Sequence, residues 1–173
     1  VEKYFAAWQK TKKEIKGFFM PSPVIDDLYV VGNGSDLLKE KKHHNIHYMC
    51  GSTSEDMMPP IIFDMAKKWC KNQSKESYTW FFDRQLPGDD NGAWHSSDLW
   101  YWFGTLENCW RPFTDHDKML SDKMTDYLCN FSKTGNPNSE GVTNWLPTND
   151  SQDNVLCWGE NEIRMDSVDM EYL

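Results

Sequence analysis

No apolar run in the 173 residues approaches the roughly 20 that a membrane-spanning helix needs. Basic residues are also scarce: 18 Lys and Arg stand against 27 Asp and Glu, a net charge of −9. Such a chain repels phosphate backbones and anionic lipid surfaces, so we expect neither a nucleic-acid nor a membrane partner. Cysteines number only five, are widely spaced and form no Cys-x-x-Cys, which reads as reduced, mostly buried thiols rather than a disulfide framework. No signal-peptide pattern is present and the chain opens on Val1, so further sequence is expected upstream. The reduced thiols favour a cytoplasmic setting, with secretion as the alternative. Asn-x-Ser sequons at Asn33, Asn72, Asn130 and Asn149 do little to change that, because Asn130 falls within a predicted helix. There is no internal repeat and no low-complexity linker.

Aromatics, by contrast, are plentiful: nine Trp, nine Phe and seven Tyr supply bulky core material for one ordinary domain over residues 1–173. Residues 3–18 read as a helix, with apolar Tyr4, Phe5, Trp8 and Ile15 and a stop at Gly17. Val24–Ile25 and Leu28–Val31 suggest short extended pieces about an Asp26–Asp27 turn, followed by a charged helix over 36–42. Residues 45–51 read as a buried strand and 57–72 as a helix with Pro59 and Pro60 in its first turn, Ile61, Met65 and Trp69 sharing one face. The aromatic run 77–83 predicts a strand. Residues 115–133 predict a helix with a Thr114/Asp117 capping box, an apolar stripe of Leu120, Met124, Tyr127, Leu128 and Phe131, and a stop at Gly135 and Pro137. Residues 155–158 and 162–165 predict a closing pair of strands. Strand–helix–strand–helix order implies parallel pairing and an α/β fold with few strands.

His95 is the first residue with chemistry to offer. It follows a polar loop after a strand, where a side chain can reach above the sheet's carboxyl edge, and its titration range suits proton transfer. A packing histidine fits the same position. His43, His44 and His47 lie near Cys50, but strand alternation sends their side chains apart, which argues against a metal site. Asp89-Asp90-Asn91-Gly92 reads as a solvated turn rather than a calcium loop. Ser54, Glu55 and Asp56, just before the helix, suit N-capping.

The stretch His95-Ser96-Ser97-Asp98-Leu99-Trp100-Tyr101-Trp102-Phe103-Gly104 resembles the catalytic-histidine segment of type-B carboxylesterases and cholinesterases. In that family a histidine is followed three residues on by an acid, then by an aromatic run ending in Phe-Gly. Phe82-Asp83-Arg84 is similar to the family's preceding strand end, Pro23-Val24-Ile25-Asp26 to its segment before the acid strand, and the passage from Leu120 to Trp145 to its last helix. The resemblance covers about residues 20 to 160. It implies the C-terminal part of an α/β-hydrolase, with His95 as general base and the triad acid at Asp56, five residues after Gly51, Glu55 being the runner-up. It implies no cofactor and no metal, and a small-molecule carboxylic ester as the intact enzyme's substrate.

Two departures stand out. Asp56 and His95 are only 39 positions apart, a shorter interval than the family's. No serine has Gly at both −2 and +2, so the nucleophile elbow and its oxyanion glycines are absent from these residues. The 173 residues alone are therefore expected to be inactive. A non-catalytic binding or interaction module of the same fold is the competing reading. A sheet lacking its first strands would expose an edge, through which self-association is possible.

Overall fold

The computed structural model describes residues 23–167 together with Lys3, Gln9 and Lys10. The chain divides into two compact units, Val1–Lys42 and His43–Leu173. In the first, the helix expected over 3–18 lies outside the described residues except for Lys3, Gln9 and Lys10, which are helical. No strand forms at 24–25 or 28–31. Instead the Asp26 carboxylate accepts the backbone N–H groups of Leu28, Tyr29 and Val30 at 2.8–3.1 Å, so a local side-chain turn takes the bonds a strand would need. Helix α1, Gly34–Lys39, starts where the Asn33 side chain accepts the Ser35 N–H, and ends three residues before the expected 42.

The second unit is built on a four-stranded sheet in the order β1 (Met49–Thr53), β2 (Tyr78–Phe82), β3 (Val155–Trp158), β4 (Ile163–Asp166). The first three strands are parallel and β4 turns back antiparallel to β3. Among the described residues β1 is paired on one side only. Helix α2, Pro59–Lys71, makes the crossover from β1 to β2. The long return to β3 contains α3 (Leu99–Trp102), a 3-10 turn (Leu106–Asn108) and α4 (Asp115–Thr134). None of these helices is long and apolar enough to cross a membrane.

Alternation along β2 divides the core. Phe81 faces α2, where it meets Phe63, Val155 and Cys157. Tyr78 and Phe82 face the other way, into a larger cluster with Tyr101, Leu120, Met124, Tyr127, Trp145 and Trp158. Trp145, Tyr127 and Trp158 pack edge to face at 5.3–6.2 Å, which suits the ring quadrupoles. Gly51 has no room for a side chain, because a Cβ there would overlap the Trp80 carbonyl and indole.

Helix α2 buries a different face from the one that Ile61, Met65 and Trp69 share. Its buried face is Phe63, Ala66 and Cys70, whereas Ile61 and Met65 are exposed. Small Ala66 and Cys70 let the helix approach β1 closely, and the bulkier stripe is left outside. Helix α4 keeps the predicted capping box and the left-handed Gly135 stop. Asp117, in its first turn, is fully buried. It accepts Arg84 Nε at 2.9 Å, Tyr101 OH at 2.7 Å, and both the N–H and hydroxyl of Thr114 at 2.7 Å. Burial works to raise its pKa, but these donors outweigh it and hold the carboxyl at about 2.

Candidate functional site

The carboxyl ends of β1 and β2 carry the two loops that matter. Beyond β1 the chain keeps pairing: Ser54 N–H donates to Phe82 O and Glu55 N–H to Ala93 O, both at 2.9 Å. Glu55 thereby forms a parallel bridge with Trp94. Advancing one residue on each side of that bridge brings Asp56 beside His95. His95 Nδ1 donates to Asp56 Oδ1 at 2.9 Å, across the interval of 39 residues.

Each partner is held separately. Asp56 Oδ1 also accepts the Met57 N–H at 2.7 Å, and Oδ2 accepts the Thr53 hydroxyl at 3.3 Å. Its side chain is 8% exposed, against 58% for His95. On the histidine side, Trp94 packs edge to face on Trp100 at 5.6 Å, and Ser96 takes a left-handed φ of 69° that turns the chain directly after the ring. A carboxylate oxygen only accepts, so Nδ1 carries the hydrogen and, in the neutral ring, Nε2 presents a lone pair.

The capping alternative for this turn does not hold. The N-cap of α2 is Met58, with no side-chain bond. Pro59 and Pro60 have no N–H groups to satisfy, so little is left for a cap to do. Glu55, the runner-up acid, makes no bond to His95; its stem packs where Gly92 leaves space, a Cβ there falling 2.6 Å from Glu55 Cγ.

His95 lines an open depression of about 500 Å³ with Glu55, Met57, Asn91, Trp94 and Arg111. Arg111 fastens its rim. Its guanidinium donates to Pro87 O at 2.9 Å and to Asp89 Oδ2 at 2.6 Å, and lies over Trp110 and Trp94 at 4.9 and 6.0 Å. Asp89 is thus an anchor for the loop, consistent with a turn. Nothing in the sequence singled out Arg111. Asp98, named only as part of a motif, is 5% exposed and accepts Trp102 Nε1 at 2.9 Å. Burial, and next the neighbouring charge of Asp56, push its pKa above the ordinary value, against the pull of Trp102 and His95. The other histidines are separate from this site: His43 donates to Asn72 O and His47 to Glu76 O. Among the described residues no three His, Cys, Asp or Glu gather as metal ligands.

A mostly parallel sheet with a histidine and an aspartate meeting beyond its carboxyl edge defines the class: this is an α/β-hydrolase fold. A solved PNB esterase superposes with a TM-score of 0.81 over 96% of this chain and 46% of its own, at 18% identity. The family model described as "Carboxylesterase family" matches residues 60–171, and the chain belongs to that family. The match includes His95 and begins just after Asp56. Bovine bile salt-activated lipase is 33% identical over an alignment of 132 residues that covers 69% of this chain and 22% of that protein. Human cocaine esterase is 43% identical over 44 residues, 25% of this chain and 8% of that protein. The chain therefore spans less than a quarter of the length of either relative.

Proposed function

We propose that residues 1–173 are the C-terminal segment of a serine carboxylic-ester hydrolase, with His95 as its general base and Asp56 as the acid that orients it. The observation that carries this reading is the 2.9 Å bond between His95 Nδ1 and Asp56 Oδ1 at the rim of an open cavity. With Nδ1 committed to the aspartate, Nε2 accepts the proton of a serine hydroxyl as its oxygen attacks the ester carbonyl. The proton then goes to the departing alcohol. A water repeats the cycle on the acyl-serine and releases the acid. Asp56 remains ionised, keeps the imidazole in the useful tautomer and stabilises the imidazolium.

The serine and the oxyanion donors belong to sequence outside these residues, because no serine here lies between glycines at −2 and +2. That the chain spans 22% of the bovine lipase supports this division. The substrate is a small-molecule carboxylic ester, in keeping with relatives named as a lipase and an esterase, and no cofactor takes part. The one-sided pairing of β1 supports self-association of the isolated segment, which light scattering at rising concentration tests.

The decisive experiment measures p-nitrophenyl acetate hydrolysis by the intact protein and its variants. Asp56→Asn and His95→Ala are each expected to lower kcat by about 10⁴-fold. Activity within threefold of the parent would remove both residues from the mechanism. The isolated 173 residues are expected to show no serine-esterase turnover, since one missing oxyanion donor alone costs about 10²–10³ in rate. Failure of an intact, folded protein to react with a phosphonofluoridate would favour the binding-module reading.

A further inference from the structure

Two cysteines unrelated to the His95 site lie against each other. Cys50 is the second residue of β1 and Cys70 is in the last turn of α2, and their sulfurs are 3.6 Å apart. We propose that Cys50 and Cys70 form a redox-modifiable dithiol, oxidised to an intramolecular disulfide by exchange with a low-molecular-weight disulfide.

Three observations support this. Both cysteines sit on rigid elements: β1 is hydrogen-bonded to β2, and α2 is seated through Phe63 on Phe81. The contact is therefore fixed by the fold, and bonding to about 2 Å requires the sulfurs to close by only about 1.5 Å. The two thiols also differ in access. Cys50 is half-buried and can meet a reagent, whereas Cys70 is 1% exposed. Finally, the hydrogen bond they share lowers the Cys70 thiol and, together with burial, raises that of Cys50. Cys70 is thus suited to be the resolving thiolate.

The chemistry has two steps. Cys50 attacks one sulfur of the small disulfide as its proton passes to the Cys70 thiolate across their 3.6 Å contact, forming a mixed disulfide and expelling a small thiolate that takes this proton away as a thiol. The Cys70 thiolate then attacks the Cys50 sulfur, forming the internal bond and expelling the second small thiol. The cysteines lose two electrons and two protons; the reagent gains both. The closed ring runs from β1 through the Asp56 turn and along α2, so oxidation tethers the turn that carries the acid.

The test treats the whole chain with oxidised glutathione at pH 8.5, alkylates it, and maps the peptides without reduction. Before alkylation the expected product is 2 Da lighter than the untreated chain, and its peptide map has a Cys50–Cys70 cross-link. Three of the five cysteines remain alkylatable. Its melting temperature should rise by about 5–10 °C and return with dithiothreitol. Cys70→Ser should stop at glutathionylated Cys50, and Cys50→Ser should leave Cys70 unmodified. If either variant fails to fold, the peptide map of the parent chain decides. A stable glutathione adduct on Cys50 in the parent chain, a cross-link through exposed Cys129 or half-buried Cys109 instead, or five alkylated thiols would each overturn the proposal.

Discussion

Two aspartates divide the work of this molecule. Asp117 is fully buried and both its oxygens are filled by donors from Arg84, Tyr101 and Thr114. Asp56 accepts from two local donors, Met57 N–H and the Thr53 hydroxyl, and spends its remaining capacity on an imidazole that is more than half exposed. The first ties β2's end to α4 and has nothing left to offer a ligand. The second holds a titratable ring at the edge of a cavity. Of these two buried carboxylates, Asp56 is the one whose imidazole partner faces solvent.

Asp117→Ala should have the largest effect. It strands the buried Tyr101 phenol and leaves the Arg84 guanidinium with Glu160 alone, so we expect a loss of about 3–5 kcal/mol in urea unfolding. A loss below about 1 kcal/mol would erase the distinction. Next is acid sensitivity. The Asp117 carboxyl sits at about 2 in the fold against 3.8 ordinarily, so its contribution of about 2 kcal/mol is complete well above pH 4 and disappears as pH falls towards 2. Asp117→Asn should flatten that limb of the stability curve. A steeper limb in the variant would contradict the assignment.

Asp98 sharpens the contrast from the opposite side. Its pKa is raised, so its ionised form opposes folding above its ordinary titration. Asp98→Asn keeps an acceptor for Trp102 and should gain up to about 1 kcal/mol at pH 7 and nothing at pH 3. A loss at pH 7 would mean that its charge helps to hold the site. His95→Ala should change stability least, by no more than about 0.5 kcal/mol, because the ring has one bond and much exposed surface. A larger loss in thermal or urea melts would make His95 a structural residue.

The sequence was most informative where chemistry is local. The capping box and glycine stop put the helix predicted over 115–133 within one residue of α4, and the strand at 155–158 coincides with β3. It was less informative where partners decide. The strand read over 45–51 is shifted to Met49–Thr53, because β1 begins where β2 supplies bonds. On α2 the face shared by Ile61, Met65 and Trp69 did not tell which side would be buried, because close approach to β1 selected Phe63, Ala66 and Cys70. Cys129 is exposed, against the expectation of mostly buried thiols. At the site, motif likeness pointed to His95 and left Asp56 and Glu55 competing. Only strand register separates them. Arg111 acts through space on Pro87, Asp89 and Trp94, distant in sequence, which no local pattern reveals.

The bridge between Glu55 and Trp94 has a consequence for how such chains tolerate change. The meeting of acid and base is set by two neighbouring backbones lying side by side, not by the number of residues linking them. Material inserted in the 72–76 connection between α2 and β2 lengthens the excursion while the handshake stays intact. A single residue added between Thr53 and Asp56 would swing the carboxylate off its target, although the total length would hardly change.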